Sequence, residues 1–179
     1  MVRIITGKYG SQRLKTPSNK SVRPTKDRVK ESIFNKLFNL IDNYENKNIL
    51  DLFAGTGNFG LECISRGAKN VAFVDNDYRQ IKLIQENLEM LGIEENKFSL
   101  VKANALTLDY NIYSPDLIFA DPPYKMENID RLFKNFANLK NNAIIVFEIS
   151  RHYQIPDFFE KYQISQKEYG FTQVNIFKR

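Results

Sequence analysis

Apolar side chains first recur at helical spacing between residues 29 and 41, where Val29, Ile33, Phe34, Leu37, Phe38 and Ile41 fall on one face. That spacing predicts a helix running to about Ile41. Thr25 offers its N-cap and Asp27 an acid in the first turn. Just upstream, Pro24 fixes its own φ and pushes Arg23 toward extended geometry. The first 17 residues read as a short hairpin: RIIT goes out, KYGS turns and QRLKT returns. From Asn48 the pattern changes. NILDLF, NVAFVD, FSLVKA, DLIFAD and AIIVFEI are short strand-like apolar runs. Helical patterns separate them: one after Gly57, one carrying Ile81, Ile84, Leu88 and Leu91 and stopping at Gly92, and one around residues 127–138. Strands alternating with helices predict a parallel sheet covered on both faces. The end breaks the alternation. YQISQKEYGFTQVNIFKR predicts two strands joined near residues 168–170, an antiparallel hairpin on one edge. The expectation is therefore an α/β fold: a seven-stranded, mostly parallel sheet, with a small N-terminal hairpin and helix.

Composition narrows this picture. At 179 residues, with 42% hydrophobic and 13% aromatic residues, the chain can fill the core of one domain. Residues 1–25 are expected to form a basic hairpin and arm, and 26–179 the catalytic core. Cys63 is the only cysteine, so an internal disulfide is excluded and a reducing, cytoplasmic location is expected. The longest purely apolar run is AIIVF, far short of a membrane span or a signal peptide. His152 is the only histidine, which argues against a His-based metal site or triad. No G-x-x-x-x-G-K-[ST] loop is present, which argues against an NTPase. Charge is unevenly placed. Residues 1–36 hold ten Lys or Arg against Asp27 and Glu31, a net of +8, whereas the other 143 residues carry −3. A basic arm on a near-neutral body suggests a polyanionic partner, although a solvated basic face would look the same.

Two stretches carry chemistry. In DLFAGTGNFG, residues 51–60, the glycines read G-x-G-x-x-G between a strand and a helix. Such a loop brings backbone close to a ligand at a helix N-terminus. Asp75 ends the next strand, where an acid can accept from ribose hydroxyls. This fits any adenosine-bearing cofactor. Asp51 tips the choice away from an anionic pyrophosphate and toward S-adenosylmethionine (SAM), whose ammonium and sulfonium a carboxylate favours. The competing reading is that Asp51 caps loop amides. The second stretch is FADPPY, residues 119–124, at the end of the fourth strand and so on the same rim. The Pro122–Pro123 pair has no N–H donors and leaves carbonyls outward. With Asp121 it makes a fork for the two hydrogens of a planar NH2 group. Tyr124 offers a face for stacking a base.

DLFAGTG followed by DPPY resembles the class I SAM-dependent amino-methyltransferases. With GKYG…RLKTP and VRPTKDRVKESIFNKLF in front, nearly the whole chain resembles the bacterial 16S rRNA guanine-N2 methyltransferase family. The stretch R-P-T-x-D-R-V-[KR]-E, residues 23–31, is the most specific element. The resemblance implies a single Rossmann-like class I methyltransferase domain. It implies that Asp51, Phe53, Ala54, Gly55 and Gly57 hold the methionine half of SAM. Asp75, with neighbouring Asn76, would take the ribose, and Asn104 and Ala105 would border the adenine. Family members often carry Asp where this chain has Asn104. Thr25 and Arg28, with Arg23, match the stretch lying over the cofactor and target pocket. Asp121, Pro122, Pro123 and Tyr124 would be catalytic. Arg13, Lys15, Arg23 and Lys26 would contact RNA. The family commonly has Gly-Arg where this chain has Ser11 and Gln12, so one expected phosphate contact is missing.

The reaction implied is methyl transfer from SAM to the exocyclic N2 of a guanine in 16S rRNA, leaving S-adenosylhomocysteine. The partner would be 16S rRNA within small-subunit particles, with the protein a monomer and neither metal nor membrane involved. An adenine-N6 methyltransferase acting on DNA or RNA would use the same DPPY geometry. A NAD-dependent oxidoreductase would leave DPPY unexplained. A non-catalytic RNA-binding factor would bind without turnover.

Overall fold

The computed structural model describes residues 2–17 and 25–179, with the backbone alone for residues 25–27. Helix α1 (Thr25–Phe38) precedes an alternation of β1 (Asn48–Leu52), α2 (Asn58–Ser65), β2 (Asn70–Asp75), α3 (Tyr78–Met90), β3 (Phe98–Lys102), β4 (Leu117–Ala120), α4 (Asp130–Ala137) and β5 (Ile144–Ser150). A short α5 (Asp157–Glu160) leads into β6 (Gln163–Tyr169) and β7 (Thr172–Lys178). The seven strands lie in the order β3-β2-β1-β4-β5-β7-β6, with β1 to β5 mutually parallel and β7 antiparallel to both neighbours. The order reverses between β1 and β4. In a sheet of this kind, ligands bind outside the carboxyl ends of the strands at that reversal.

Side chains alternate across the sheet with period two, and both faces are covered. Ile49, Val71 and Phe73 join α1, α2, α3 and the N-terminal hairpin in one core. Leu50, Leu52, Ala72 and Val74 join Leu132, Phe133 and Phe136 of α4 in the other. The strands therefore read as near-continuous apolar runs, as parallel strands do.

Three expectations need adjusting. Helix α1 ends at Phe38, short of Ile41; the Ile41 amide folds back onto the Leu37 carbonyl at 2.8 Å. Ile41 is buried as expected, but Phe38 is 74% exposed because the helix stops where it points outward. The helix before β5 starts at Asp130 and not near residue 127. The N-terminal hairpin contracts to a single bridge, Arg3 with Arg13, supported by amides of Ile4, Ser11 and Leu14. Its turn grips the C-terminal end of α2. Gly7 sits at φ +90°, and a Cβ there would lie 2.0 Å from the Ser65 carbonyl oxygen. The Ser65 hydroxyl accepts from the Tyr9 amide at 3.0 Å and donates to the Thr6 carbonyl at 2.6 Å.

Candidate active site

The carboxyl ends of β1, β2 and β4 bring together the acids singled out in the sequence. In register, Leu52 lies beside Val74 on one side and Ala120 on the other. Asp75 closes β2 and Asp121 follows β4, each one step beyond these, so they flank the start of the glycine loop. The loop turns immediately: Phe53 adopts φ +56°, a left-handed conformation rare for a bulky residue. Gly55 follows at φ +55°, and a Cβ there would meet only the Phe53 carbonyl oxygen within 4 Å, at 3.8 Å. Gly60 does a different job. A Cβ there would lie 2.3 Å from the Phe73 ring, so this glycine lets α2 approach β2.

Asp75 organises the loop as well as lining it. One carboxylate oxygen accepts from the Gly55 amide at 3.0 Å and the other from the Asp77 amide at 2.9 Å. Each oxygen keeps a further lone pair for an outside donor. Asp51 is only 1% exposed and turns inward, accepting from the Gly60 amide at 2.9 Å. Loop-amide capping is therefore part of its role. Burial pushes its carboxyl well above the usual range, and Asp121 and Asp75 add to the rise. Such a group favours folding below the unfolded carboxyl's pKa and loses that contribution as pH rises toward its folded value. Asp51→Asn keeps an oxygen for Gly60 without the charge. Its Tm advantage over wild type is expected to be larger at pH 8 than at pH 4; an equal difference at both would refute the buried charge.

At the end of β4, Asp121 is half-buried and Pro123 and Tyr124 are exposed. The Pro123 carbonyl is spent on a turn, accepting from the Met126 amide at 2.9 Å. The Pro122 carbonyl accepts nothing from the described residues. Tyr124 is 61% exposed, yet its hydroxyl is tied to the Thr172 hydroxyl on β7. Beneath these residues Phe119 stacks on Phe59 at 4.0 Å, Phe59 on Phe34 at 4.9 Å, and the Arg66 guanidinium lies over Phe34 at 4.3 Å.

The other predicted residues divide. Asn104 is exposed, and its side-chain oxygen accepts from the Leu106 amide at 2.9 Å. Ala105 is buried, with its carbonyl accepting from the Tyr110 hydroxyl at 2.6 Å. Asn76, Arg28 and Arg13 are exposed. Lys15 pairs with Glu86 at 3.1 Å, so part of its charge is already answered. Arg23 lies outside the described residues, as do the side chains of Thr25 and Lys26 and the expected Thr25 cap. Among the described residues no group of three or more His, Cys, Asp or Glu could hold a metal ion, and no helix is long and apolar enough to cross a membrane.

The structure also brings in residues that the sequence pattern did not single out. Asn87 of α3, fully buried, accepts from the Lys15 amide at 2.8 Å and donates to the carbonyls of Lys15 and Thr56, both at 3.2 Å. One side chain thus ties the basic arm to the glycine loop. Glu62 of α2, also fully buried, accepts from the amides of Ile5 at 2.6 Å and Thr6 at 3.0 Å. It pairs with Lys30 at 3.2 Å and Arg66 at 2.9 Å. Lys30 in turn donates to the Arg3 carbonyl at 2.6 Å and to the Asn58 side chain at 2.7 Å. The only sequence signal for Asn87 and Glu62 was a polar residue on an apolar helix face.

A family described as "Conserved hypothetical protein 95" matches residues 2–178. The chain belongs to this family. Among relatives, the Bacillus subtilis protein named "Putative rRNA methyltransferase YlbH" is 34% identical, over 99% of both chains. The Haemophilus influenzae protein named "Ribosomal RNA small subunit methyltransferase D" is 33% identical over 84% of this chain and 79% of its own. Among solved structures, one titled "Putative methyltransferase yhhF from Escherichia coli" superimposes with a TM-score of 0.81 at 25% identity, covering 99% of this chain and 97% of that one. The seven-stranded sheet with its antiparallel C-terminal hairpin is the class I methyltransferase fold.

Membership of the Conserved hypothetical protein 95 family sharpens two details. Ser11, which stands where relatives were expected to carry glycine, sits at φ +68°, the region that favours glycine. Lys30, in the motif read as the most specific, is not a solvent-facing cation. It is 4% exposed and builds the junction between hairpin, α1 and α2.

Proposed function

We propose that this protein is a SAM-dependent methyltransferase acting on the exocyclic N2 of a guanine in 16S rRNA of the small ribosomal subunit. The observation that carries the reading is the end of β4, where Asp121 and the Pro122 carbonyl, which accepts nothing from the described residues, lie beside an exposed tyrosine held by its hydroxyl. A guanine N2 has its lone pair delocalised into the ring. Asp121 and the Pro122 carbonyl can each accept one of its hydrogens, which favours a tetrahedral nitrogen and frees the lone pair. Tyr124, immobilised by Thr172, offers a stacking face at no further entropic cost to the ring. Asp121 also offsets positive charge developing on the nitrogen, so positioning and electrostatics supply most of the rate. SAM, when bound, supplies the electrophilic methyl group.

The residues around the loop fit that cofactor. Gly55 leaves open space above the rim, and Asp75 holds the loop while keeping acceptor capacity for a ribose diol. Phe53, Ala54 and Gly57 complete the wall, and Asn104 and Ala105 border the adenine end. Asp75→Ala is expected to raise the SAM Kd at least about tenfold, since it removes the ribose acceptor and releases the Gly55 amide; an unchanged Kd by calorimetry would refute the assignment. Relatives bearing rRNA methyltransferase names and the basic N-terminal region support an RNA substrate.

The deciding experiment incubates the protein and labelled SAM with naked unmodified 16S rRNA, with small subunits reconstituted from it, and with DNA. Mass analysis of the nucleosides then identifies the product. N2-methylguanosine from an RNA arm is the expected result. N6-methyladenosine, or label in DNA alone, would replace the reading with the adenine one.

A further inference from the structure

The proposed active site ends at Tyr124, but the rim continues beyond it onto the β6–β7 hairpin. Ser150, the last residue of β5, pairs with Thr172, the first of β7, so the hairpin tip stands at the carboxyl end of the sheet. The tip holds Gly170 at φ +62° and then Phe171, which is 73% exposed. A tight turn favours Gly, Asn or Asp, and an exposed phenylalanine there buries little. Phe171 is nevertheless held in place. The Arg151 amide donates to its carbonyl at 3.0 Å, and the Arg151 guanidinium lies 5.3 Å from its ring centroid. The guanidinium is steered in turn by the Gly170 carbonyl and by His152 Nε2, both at 3.4 Å. No carboxylate pairs with Arg151 among the described residues, so its charge faces solvent. The next residue after Phe171 is Thr172, the one that holds Tyr124. On the far side of the hairpin, the Tyr169 hydroxyl donates to Ser32 of α1, the helix fed by the basic arm.

An aromatic ring next in sequence to the threonine that holds the proposed site's tyrosine, with a guanidinium over it that pairs with no carboxylate among the described residues, makes a surface suited to one ligand class. A base stacks on the phenyl ring, the guanidinium takes its phosphate or stacks in turn, and sequence is not read. We propose that Phe171 and Arg151 form a stacking platform for an unpaired nucleotide of the RNA substrate flanking the target base. This rests on the methyltransferase reading for its RNA. The platform explains how a body with few reading surfaces can hold a flipped base. Extrusion of the target unstacks its neighbours, and a second ring at the rim recovers part of that cost.

The test uses Phe171→Ala, Phe171→Tyr and Arg151→Gln in the full-length protein. With small subunits reconstituted from unmodified 16S rRNA, KM for particles is expected to rise about tenfold in Phe171→Ala and to return near wild type in Phe171→Tyr. SAM Kd and kcat should stay within about twofold. Arg151→Gln should lower the salt slope of RNA binding by about 0.7–0.9. An unmoved KM in Phe171→Ala would overturn the platform, as would a KM that Phe171→Tyr does not restore or an unmoved salt slope in Arg151→Gln. A second arm needs no turnover: a single-stranded ribo-octanucleotide carrying 2-aminopurine should be quenched on wild type and on Phe171→Tyr but not on Phe171→Ala. Equal quenching by all three, or none, would overturn the platform. Quenching that depends on Phe171, alongside no methylation of any RNA, would sink the methyltransferase reading while leaving the platform standing.

Discussion

Asp121→Ala is expected to reduce methyl transfer to unmodified small-subunit rRNA by about a thousandfold while leaving the SAM Kd within a few-fold of wild type. The asymmetry follows from position. Asp121 ends β4, across β1 from the Asp75 that organises the glycine loop. In the proposed reading it therefore faces the incoming amine and not the ribose side. On that reading its removal takes away an acceptor that orients the nitrogen and a negative charge beside it, and both matter chiefly in the transition state. Asp121→Asn separates the two effects. It keeps an acceptor oxygen at the same place and removes the charge, so it should fall between wild type and alanine. The variant should also fold, since Asp121 is half-buried at a strand end and not packed in either core. Single-turnover rates with saturating SAM measure the effect. Turnover by Asp121→Ala within tenfold of wild type would remove the carboxylate from the chemistry and leave the Pro122 carbonyl and Tyr124 to account for it.

Much of this arrangement was readable from local pattern. The five parallel strands announced themselves as apolar runs bounded by Gly, Asn and Asp; the four inner ones are buried on both faces and cannot alternate with polar residues, while β3 at the sheet edge is only partly buried. The rim followed from topology: G-x-G-x-x-G and DPPY both follow strands, and parallel strands put their ends on one side. Polarity inside the core was not readable. Glu62 and Asn87 lie on faces that periodicity marks as apolar. Their partners are backbone groups of residues 5, 6, 15 and 56, brought in by tertiary packing alone. Asp51 illustrates the same limit. The sequence offered two jobs for its carboxylate, and only the folded loop showed that it caps the Gly60 amide. The basic stretch was misleading in one respect. Counted along the chain, Lys30 belonged to a cationic arm, but helical phase turned it toward Glu62 and out of solvent.

Glu62→Ala is expected to cost roughly 3–5 kcal/mol of stability, the usual penalty for removing one member of a buried ion pair. For a chain of this size that is a fall of about 6–20 °C in Tm. The loss is large because four groups depend on one carboxylate. Lys30 would keep a buried positive charge without this carboxylate, and the amides of Ile5 and Thr6 would lose their acceptor. Arg66 suffers less, since it is less buried and rests on Phe34. Lys30→Met alone should also destabilise, by leaving Glu62 with a weaker counter-charge. Combining Lys30→Met with Glu62→Gln removes both charges and keeps one amide acceptor, so the double variant should lose less than the two single changes added. Additive losses would mean that the ions do not interact across the junction. The functional consequence is directional. Residues 2–6 are held to α2 through this carboxylate, and the arm that follows reaches the glycine loop through Asn87. Loosening the hairpin should therefore expose Lys8 and Arg13 to trypsin before the core unfolds and weaken RNA binding more than SAM binding. A hairpin that resists trypsin in Glu62→Ala would place its anchorage elsewhere, in the Gly7–Ser65 contact at the other end of the turn.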